Sequence, residues 1–114
     1  MVTRGFSLQS CDTLTGAPLV DRRHATLGTV DELLLDLDTG RVVFAILCLG
    51  ASSGASGRLV AVPWQWLRFD PSSQRFELLR DGALERAPAL ATDQWPDFSD
   101  ASWQRRLREH YSHH

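Results

Sequence analysis

Four carboxylates lie close together near the middle of the chain and are the first candidates for metal or acid–base chemistry. They are Asp31, Glu32, Asp36 and Asp38, and the spacing Asp36-x-Asp38-x-Gly40 partly resembles a calcium-binding loop. The remaining ligand positions and the closing Glu of such a loop are missing. We therefore interpret these carboxylates as one face of a solvated strand and its turn. A docking rim for a basic partner is the functional alternative.

The histidines are the second set of candidate groups. His110, His113 and His114 have i, i+3 and i+4 spacing, which on a helix can hold zinc or nickel, but no cysteine or carboxylate cluster is organised around them. Their terminal position favours adventitious metal binding or part of a purification tag. His24 has no nucleophile motif nearby. We predict no catalytic residue, no metal site and no cofactor, and expect that the chain is not an enzyme.

Size and charge exclude several classes of function. A chain of 114 residues is the usual size of one domain, and a net charge of −2 gives no excess of positive charge to neutralise phosphates. Nucleic acid is therefore disfavoured as a partner. The one dense basic group, Arg105, Arg106 and Arg108, keeps an RNA- or ribosome-associated accessory role as the alternative.

Cysteine usage and hydropathy indicate the compartment. The longest apolar run, Val42 to Leu49, is far shorter than a membrane span, and the first residues do not follow a signal-peptide pattern. We expect a cytoplasmic protein with no direct membrane insertion. Cys11 and Cys48 are accordingly expected to be unpaired thiols.

Short strands joined by turns are the elements that would position these residues. Leucines at positions 33, 35 and 37 alternate with Leu34, Asp36 and Asp38, which predicts a half-buried strand with one mostly wet face and a bulge near Val30. The turn residues 38–41 and the β-branched run that follows predict a hairpin. Further strands are predicted at 19–20, 58–62 and 75–78, an aromatic corner at 64–67, a helical turn at 83–88 and a mobile loop at 50–57.

The last element is predicted to be a helix that packs on the strands. It begins after Ser99 or Asp100, and it carries Trp103, Leu107 and Tyr111 on one stripe. Because this stripe is apolar, it must cover something, and Trp103 is expected to anchor the helix to the rest of the domain.

Four sequence blocks, taken in order, resemble the PRC-barrel domain family. They are Leu27-Gly28-Thr29-Val30, then residues 35–42, then Val60-Ala61-Val62-Pro63-Trp64, then Ala87-Pro88. Trp95-Pro96-Asp97, followed by Trp103 and Tyr111, is similar to the end of bacterial stand-alone members, which are related to the cytoplasmic portion of the photosynthetic reaction-centre H subunit.

The resemblance covers roughly residues 7–111 and implies a mainly β fold, a small, strongly bent PRC-type β-barrel with a short C-terminal helix. We expect a flexible N-terminus over residues 1–6, the barrel over 7–90, and a linker with the packed helix over 91–114. It further implies a docking or assembly role, often with self-association, and brings no catalytic residues.

A candidate interaction surface follows from the aromatic residues and the exposed edges of a small barrel. Tryptophan and other aromatic residues are enriched at binding hot spots, and free strand edges can pair with another chain. We predict a homodimer and an unidentified protein partner. The surface is predicted near residues 42–49 and 64–69, and its candidates are Phe44, Ile46, Trp64, Trp66, Phe69 and Trp95.

Overall fold

A long hairpin is the central element of the fold in the computed structural model, which describes residues 5, 7–50, 57–80, 84, 86–91 and 95–112. Strand β2 (Thr26–Asp36) pairs antiparallel with β3 (Arg41–Leu49). In the turn, the Asp36 carboxylate accepts hydrogen bonds of 3.1 Å from the Asp38 N–H and the Thr39 hydroxyl, and Gly40 has a φ of 73°. The predicted hairpin and the positive φ of Gly40 are confirmed, whereas the aspartate that bonds the turn is Asp36 and not Asp38 of the predicted turn residues.

The other strands extend this hairpin into one seven-stranded sheet in the order β5-β6-β1-β2-β3-β4-β7. The pairings are antiparallel except for β1 with β6. Among the described residues β5 and β7 do not pair with each other, so the sheet is not closed, which is consistent with a bent, barrel-like fold. The remaining elements are β1 (Pro18–Val20), β4 (Arg58–Pro63), β5 (Leu67–Asp70), β6 (Arg75–Leu78), β7 (Ala89–Leu90), α1 (Cys11–Leu14), a 3-10 helix (Trp64–Trp66) and α2 (Ala101–Ser112).

Two bulges interrupt the β2–β3 ladder. The register shifts between Val30 and Glu32, which confirms the bulge predicted there, and again between Leu34 and Leu35, where Val43 is the extra residue on β3. Past the second bulge, Leu35 and Leu37 are 51% and 90% exposed. The sequence alternation had placed both on the drier face, and this prediction is wrong because β4 pairs with β3 only as far as Phe44.

The core lies where α2 covers the central strands. Ala45, Ile46 and Leu47 on β3 are fully buried, as are residues 60–62 on β4. The predicted helix stripe is confirmed, since Trp103, Leu107 and Tyr111 are its buried residues. The helix starts at Asp100, whose carboxylate accepts from the Ser102 N–H at 2.9 Å, and this hydrogen bond is the main cause of the lowered Asp100 pKa.

Some local predictions differ from the structure or fall outside it. The short helix α1 was not predicted; Ser10 caps it by accepting from the Thr13 N–H at 3.2 Å. In the region predicted as a helical turn, residues 84 and 86–88 form bends and turns rather than a helix. Most of the predicted flexible N-terminus and mobile loop, residues 1–4, 6 and 51–56, lies outside the described residues.

Two further findings concern the cysteines and the length of the helices. Cys11 and Cys48 are both unpaired, as expected. Within the part of the chain that the structure describes, no helix is both long and apolar enough to cross a membrane.

Candidate functional site

The end of the β2–β3 hairpin concentrates exposed apolar side chains. Leu35, Leu37 and Val43 are 51%, 90% and 42% exposed, and they are three of the five large hydrophobic residues exposed in the described part of the chain, with Leu8 and Trp95. Single exposed apolar residues are common on protein surfaces, whereas a cluster marks a contact surface. The hairpin end is therefore the first candidate site.

A groove separates this hairpin end from helix α2 and the segment before it. Its volume is about 440 Å³. We call it the hairpin groove; its apolar lining includes Leu35, Leu37 and Val43 on the hairpin side and Phe98 and Trp103 on the helix side. Polar side chains line it as well, namely Asp36, Asp38, Ser99, Gln104 and Arg108, so the groove offers a partner both apolar and charged contacts.

Aromatic contacts connect this groove to the core. The ring centroids of Trp95 and Phe98 are 5.4 Å apart, those of Phe98 and Trp103 are 5.2 Å apart, and those of Trp103 and Phe44 are 6.1 Å apart. Exposure falls along this row from 41% at Trp95 to 9% at Phe44. Because each ring supports the next, Trp95 is an exposed aromatic residue on a rigid base, which suits a contact residue.

The four carboxylates near the hairpin divide into two kinds. Asp36 is occupied in the turn, and Asp31 accepts a hydrogen bond of 2.8 Å from the Thr29 hydroxyl. Glu32 and Asp38 are exposed and form no ion pair among the described residues. Among all the residues that the structure describes, no group of three or more His, Cys, Asp or Glu side chains could hold a metal ion.

The remaining polar groups to consider are the histidines and Tyr111, and both His24 and Tyr111 contact other parts of the fold. His24 lies in a turn with φ 67°, and its Nδ1 is 3.2 Å from an Arg75 guanidinium nitrogen. The Tyr111 hydroxyl donates to the buried Ala61 carbonyl, and burial raises the pKa of this phenol well above its usual range. Tyr111 thus fastens α2 to β4. His110 is on α2, while His113 and His114 lie outside the described residues.

Three residues of the predicted interaction surface belong to the core. Ile46 is fully buried, and Phe44 and Trp66 are 9% and 6% exposed. The prediction is corrected for these three, because β3 is a central strand paired on both sides and α2 covers the corner at Trp66, whose ring centroid is 4.8 Å from that of Tyr111. Their burial leaves no side-chain surface for a partner.

The other three predicted residues keep some exposure. Trp64 and Phe69 are half-buried against Phe76, with ring centroids 5.8 and 5.0 Å from it, and Trp95 is exposed. Leu35 and Leu37 lie outside the predicted surface, and Val43 lies within its range 42–49 but was not a named candidate. Only the length of the leucine-rich strand relative to its neighbours could have indicated them, and strand lengths are poorly defined by sequence.

In the described part of the chain, strand edges remain open at both ends of the sheet, on β5 and the two-residue β7, and along part of β2. Strand β5 is at one end of the sheet and pairs only with β6. Strand β2 pairs with β1 only up to Thr29. At Val30 the contact continues through two backbone hydrogen bonds, since the Gly16 N–H donates to the Val30 carbonyl and the Val30 N–H donates to the Ala17 carbonyl. From Asp31 to Asp36, the side of β2 away from β3 has no neighbouring strand among the described residues. We call this the β2 edge.

Comparison with known proteins assigns this architecture. The model of the PRC-barrel domain matches residues 9–84, which is more than half of the chain and runs from before α1 to just after β6. No curated protein matches the chain. Phe98 and helix α2, which form one side of the hairpin groove, follow the matched segment. With its bent seven-stranded sheet and this match, the chain belongs to the PRC-barrel domain family.

Proposed function

We propose that this chain is a non-catalytic protein-interaction module that contacts its partner through the hairpin groove. PRC-barrel domains act in general as protein-interaction modules. The observation that carries the proposal is the clustering of exposed Leu35, Leu37 and Val43 beside a groove whose other wall is aromatic. Large apolar residues grouped around a pocket, with charged residues at the margin, are typical of the energetically important part of a protein interface.

Charge distribution favours a protein partner over nucleic acid. The three arginines of α2 do not form a single face, because successive helical residues are about 100° apart, which directs Arg106 about 200° away from Arg108. Arg108 lines the hairpin groove, whereas the hairpin side of that groove contributes Asp36 and Asp38. A phosphate backbone would meet both signs of charge there, so the hairpin groove does not favour an RNA-associated role.

Self-association is the second part of the proposal, and the edge of β5 supports it. The Leu79 N–H donates to the Trp66 carbonyl at 2.8 Å, so these two residues form a hydrogen-bonded pair. Because hydrogen-bonded and non-hydrogen-bonded pairs alternate along the antiparallel β5–β6 ladder, the N–H and C=O of Phe69 are directed away from β6. Two copies related by a two-fold axis at Phe69 would exchange both of these backbone bonds. In the same register Arg68 of each copy faces Asp70 of the other.

The β5 contact is short, since the strand has four residues. We therefore propose a weak, concentration-dependent homodimer. The proposed setting is the cytoplasm, where reducing conditions would keep Cys11 and Cys48 as thiols.

Site-specific crosslinking tests the partner-binding surface. A photoreactive amino acid at Leu37 should capture a defined protein in cells, and Leu35→Ser in the same chain should abolish that capture. A matched probe at Ser73, in the exposed β5–β6 turn, should not capture the same protein. Equal capture from both positions, or capture at Leu37 that persists with Leu35→Ser, would contradict this surface.

Sedimentation velocity over a concentration series tests the homodimer. Arg68→Glu should shift the monomer–dimer transition to higher concentration, because it places like charges opposite each other in the proposed register. Arg22→Glu, an equal charge change at an exposed residue outside the sheet, serves as the matched control. A monomer at every concentration, or equal shifts in both variants, would rule out pairing through β5.

A further inference from the structure

The β2 edge is a six-residue strand edge with unused backbone hydrogen-bonding groups. Residues 31–36 pair with β3 on one side, and among the described residues nothing forms a ladder on the other. In an antiparallel strand, alternate residues direct their N–H and C=O groups to the side away from the existing partner. Such an edge is a template for another strand, and it spans about 20 Å at 3.3 Å per residue.

A second copy of this chain fits the β2 edge poorly. Antiparallel self-pairing centred on Leu34 would place Glu32 opposite Asp36 of the other copy, and pairing centred on Leu35 would place Glu32 opposite Asp38. Like charges directly opposite one another destabilise a sheet. Pairing centred on Leu33 would place Asp36 opposite Val30, whose outer edge is already bonded to Ala17 at 3.0 Å and to Gly16 at 2.6 Å, which shortens that ladder. The strand at this edge therefore comes from a different chain.

Charge and exposure along the edge describe the chemistry of that strand. Glu32 on the edge and Asp38 in the turn two residues beyond it are exposed carboxylates with no ion-pair partner in the described residues. Leu35, between them, is 51% exposed and also lines the hairpin groove. A strand with basic side chains at alternate positions could pair with the carboxylates, while its apolar side chains covered leucine.

We propose that the β2 edge binds an extended segment of a partner protein in which Arg or Lys alternates with apolar residues, as an added strand of the sheet. This inference rests on the proposed interaction function and names the partner's chemistry. Main-chain hydrogen bonds supply the affinity in this mode of recognition, and alternate side chains supply the specificity. The segment also covers an edge that would otherwise stay open to solvent.

Synthetic peptides provide the test on the full-length chain. The probe is an eight-residue peptide alternating arginine and valine, and its counterparts are a glutamate–valine peptide and a block peptide with the four arginines before the four valines. Binding is followed by backbone amide chemical shifts and by hydrogen exchange. The arginine–valine peptide should slow exchange at Leu33 and Leu35, bind about tenfold more tightly than the block peptide, and lose binding when its valine nitrogens are methylated.

Charge-reversed variants supply the matched controls. Glu32→Lys with Asp38→Lys should weaken binding of the arginine–valine peptide about tenfold and make the glutamate–valine peptide the better ligand, whereas Glu109→Lys, on the exposed side of α2, should change neither. Strand addition would be overturned if methylation of the valine nitrogens left binding unchanged, or if the block peptide bound as tightly as the alternating one. Chemical shift changes confined to other surfaces would overturn it as well. Preferential protection of the edge by single-stranded RNA would overturn the assignment of a protein segment.

These outcomes separate the two proposals. Capture through Leu37 that depends on Leu35, together with no peptide effect at residues 31–36, would leave the interaction function in place and refute the added strand. Absence of any capture through Leu37 in the chain that keeps Leu35 would refute the interaction surface itself.

Discussion

Two glycines of the β2–β3 hairpin are constrained by the backbone around them. A Cβ atom built at Gly28 would be 1.9 Å from the Cys48 carbonyl oxygen, inside the β2–β3 ladder. Gly40 has a positive φ of 73° in the hairpin turn, but no atom lies within 4 Å of its hypothetical Cβ. The two glycines are therefore required for different reasons.

We expect Gly28→Ala to lower the free energy of unfolding by about 3 kcal/mol, because β2 and β3 must separate to accept the methyl group. Gly40→Ala should cost about 1 kcal/mol, since only the left-handed backbone conformation opposes it. Urea denaturation followed by circular dichroism measures both. Equal losses in the two variants would contradict the packing argument.

Tyr111 gives a pH-dependent prediction because it is the one tyrosine in the chain. Burial raises its pKa in the folded state above the value of about 10 expected in the unfolded chain. Above that pH the unfolded state binds fewer protons than the folded state, so the stability contributed by the neutral phenol decreases as pH rises. Absorbance at 295 nm should show no phenolate near pH 10 until the protein unfolds.

The matched variant for this residue is Tyr111→Phe. It should remove the alkaline loss of stability that the phenol causes, and it should cost about 1 kcal/mol at neutral pH because the buried Ala61 carbonyl loses its donor. A normal tyrosine titration in the folded wild-type protein would show that the hydroxyl is not held in the core.

At the scale of elements, the two ends of the β2–β3 hairpin have different roles. The half paired with β4 is core, and Ile46 on it is fully buried. The half beyond Phe44 extends past its neighbours and carries Leu37, which is 90% exposed. One hairpin therefore supplies both the centre of the sheet and the proposed contact surface.

Substitutions on the two halves should separate stability from binding. Leu37→Ser should change the free energy of unfolding by less than about 0.5 kcal/mol, because its side chain is already in solvent. Ile46→Ala should cost about 3 kcal/mol through the cavity that it leaves. Chemical denaturation measures both, and a large loss for Leu37→Ser would mean that the hairpin end is structural.

At the scale of the whole molecule, the sheet depends on a helix that follows the family-matched segment. The match ends at residue 84, whereas Trp103, Leu107 and Tyr111 of α2 are buried against the sheet. Without these side chains, Phe44 and Trp66 would lose the aromatic contacts that cover them. The predicted boundary between barrel and linker at residues 90 and 91 is thus crossed by the core.

A chain that ends at Leu90 should not reach the native fold. We expect it to bind a hydrophobic dye and to lose the cooperative unfolding transition, because removal of α2 exposes the apolar face of β3 and β4. Trp103→Ala in the full chain is the milder variant and should cost about 4 kcal/mol. A cooperative transition in the shortened chain would show that the barrel is independent of the helix.

Much of the architecture was determined by the sequence alone, because local chemistry specifies it. The turn around Gly40, the bulge near Val30, the capped helix with its apolar stripe and the order of the four family blocks are all short-range patterns, and each led to a correct prediction. Short helix α1 was missed, since four residues are too few to produce a periodic signal.

Only the tertiary structure decided which side chains are available to a partner. Alternation can divide a strand into two faces, but it cannot tell how far the neighbouring strands extend beside it. For this reason Leu37 was assigned to the drier face and is exposed, whereas Ile46 was assigned to a surface and is fully buried. Burial depends on contacts between elements distant in sequence, here β3 with β4 and α2 with the hairpin, and no local pattern encodes their relative lengths.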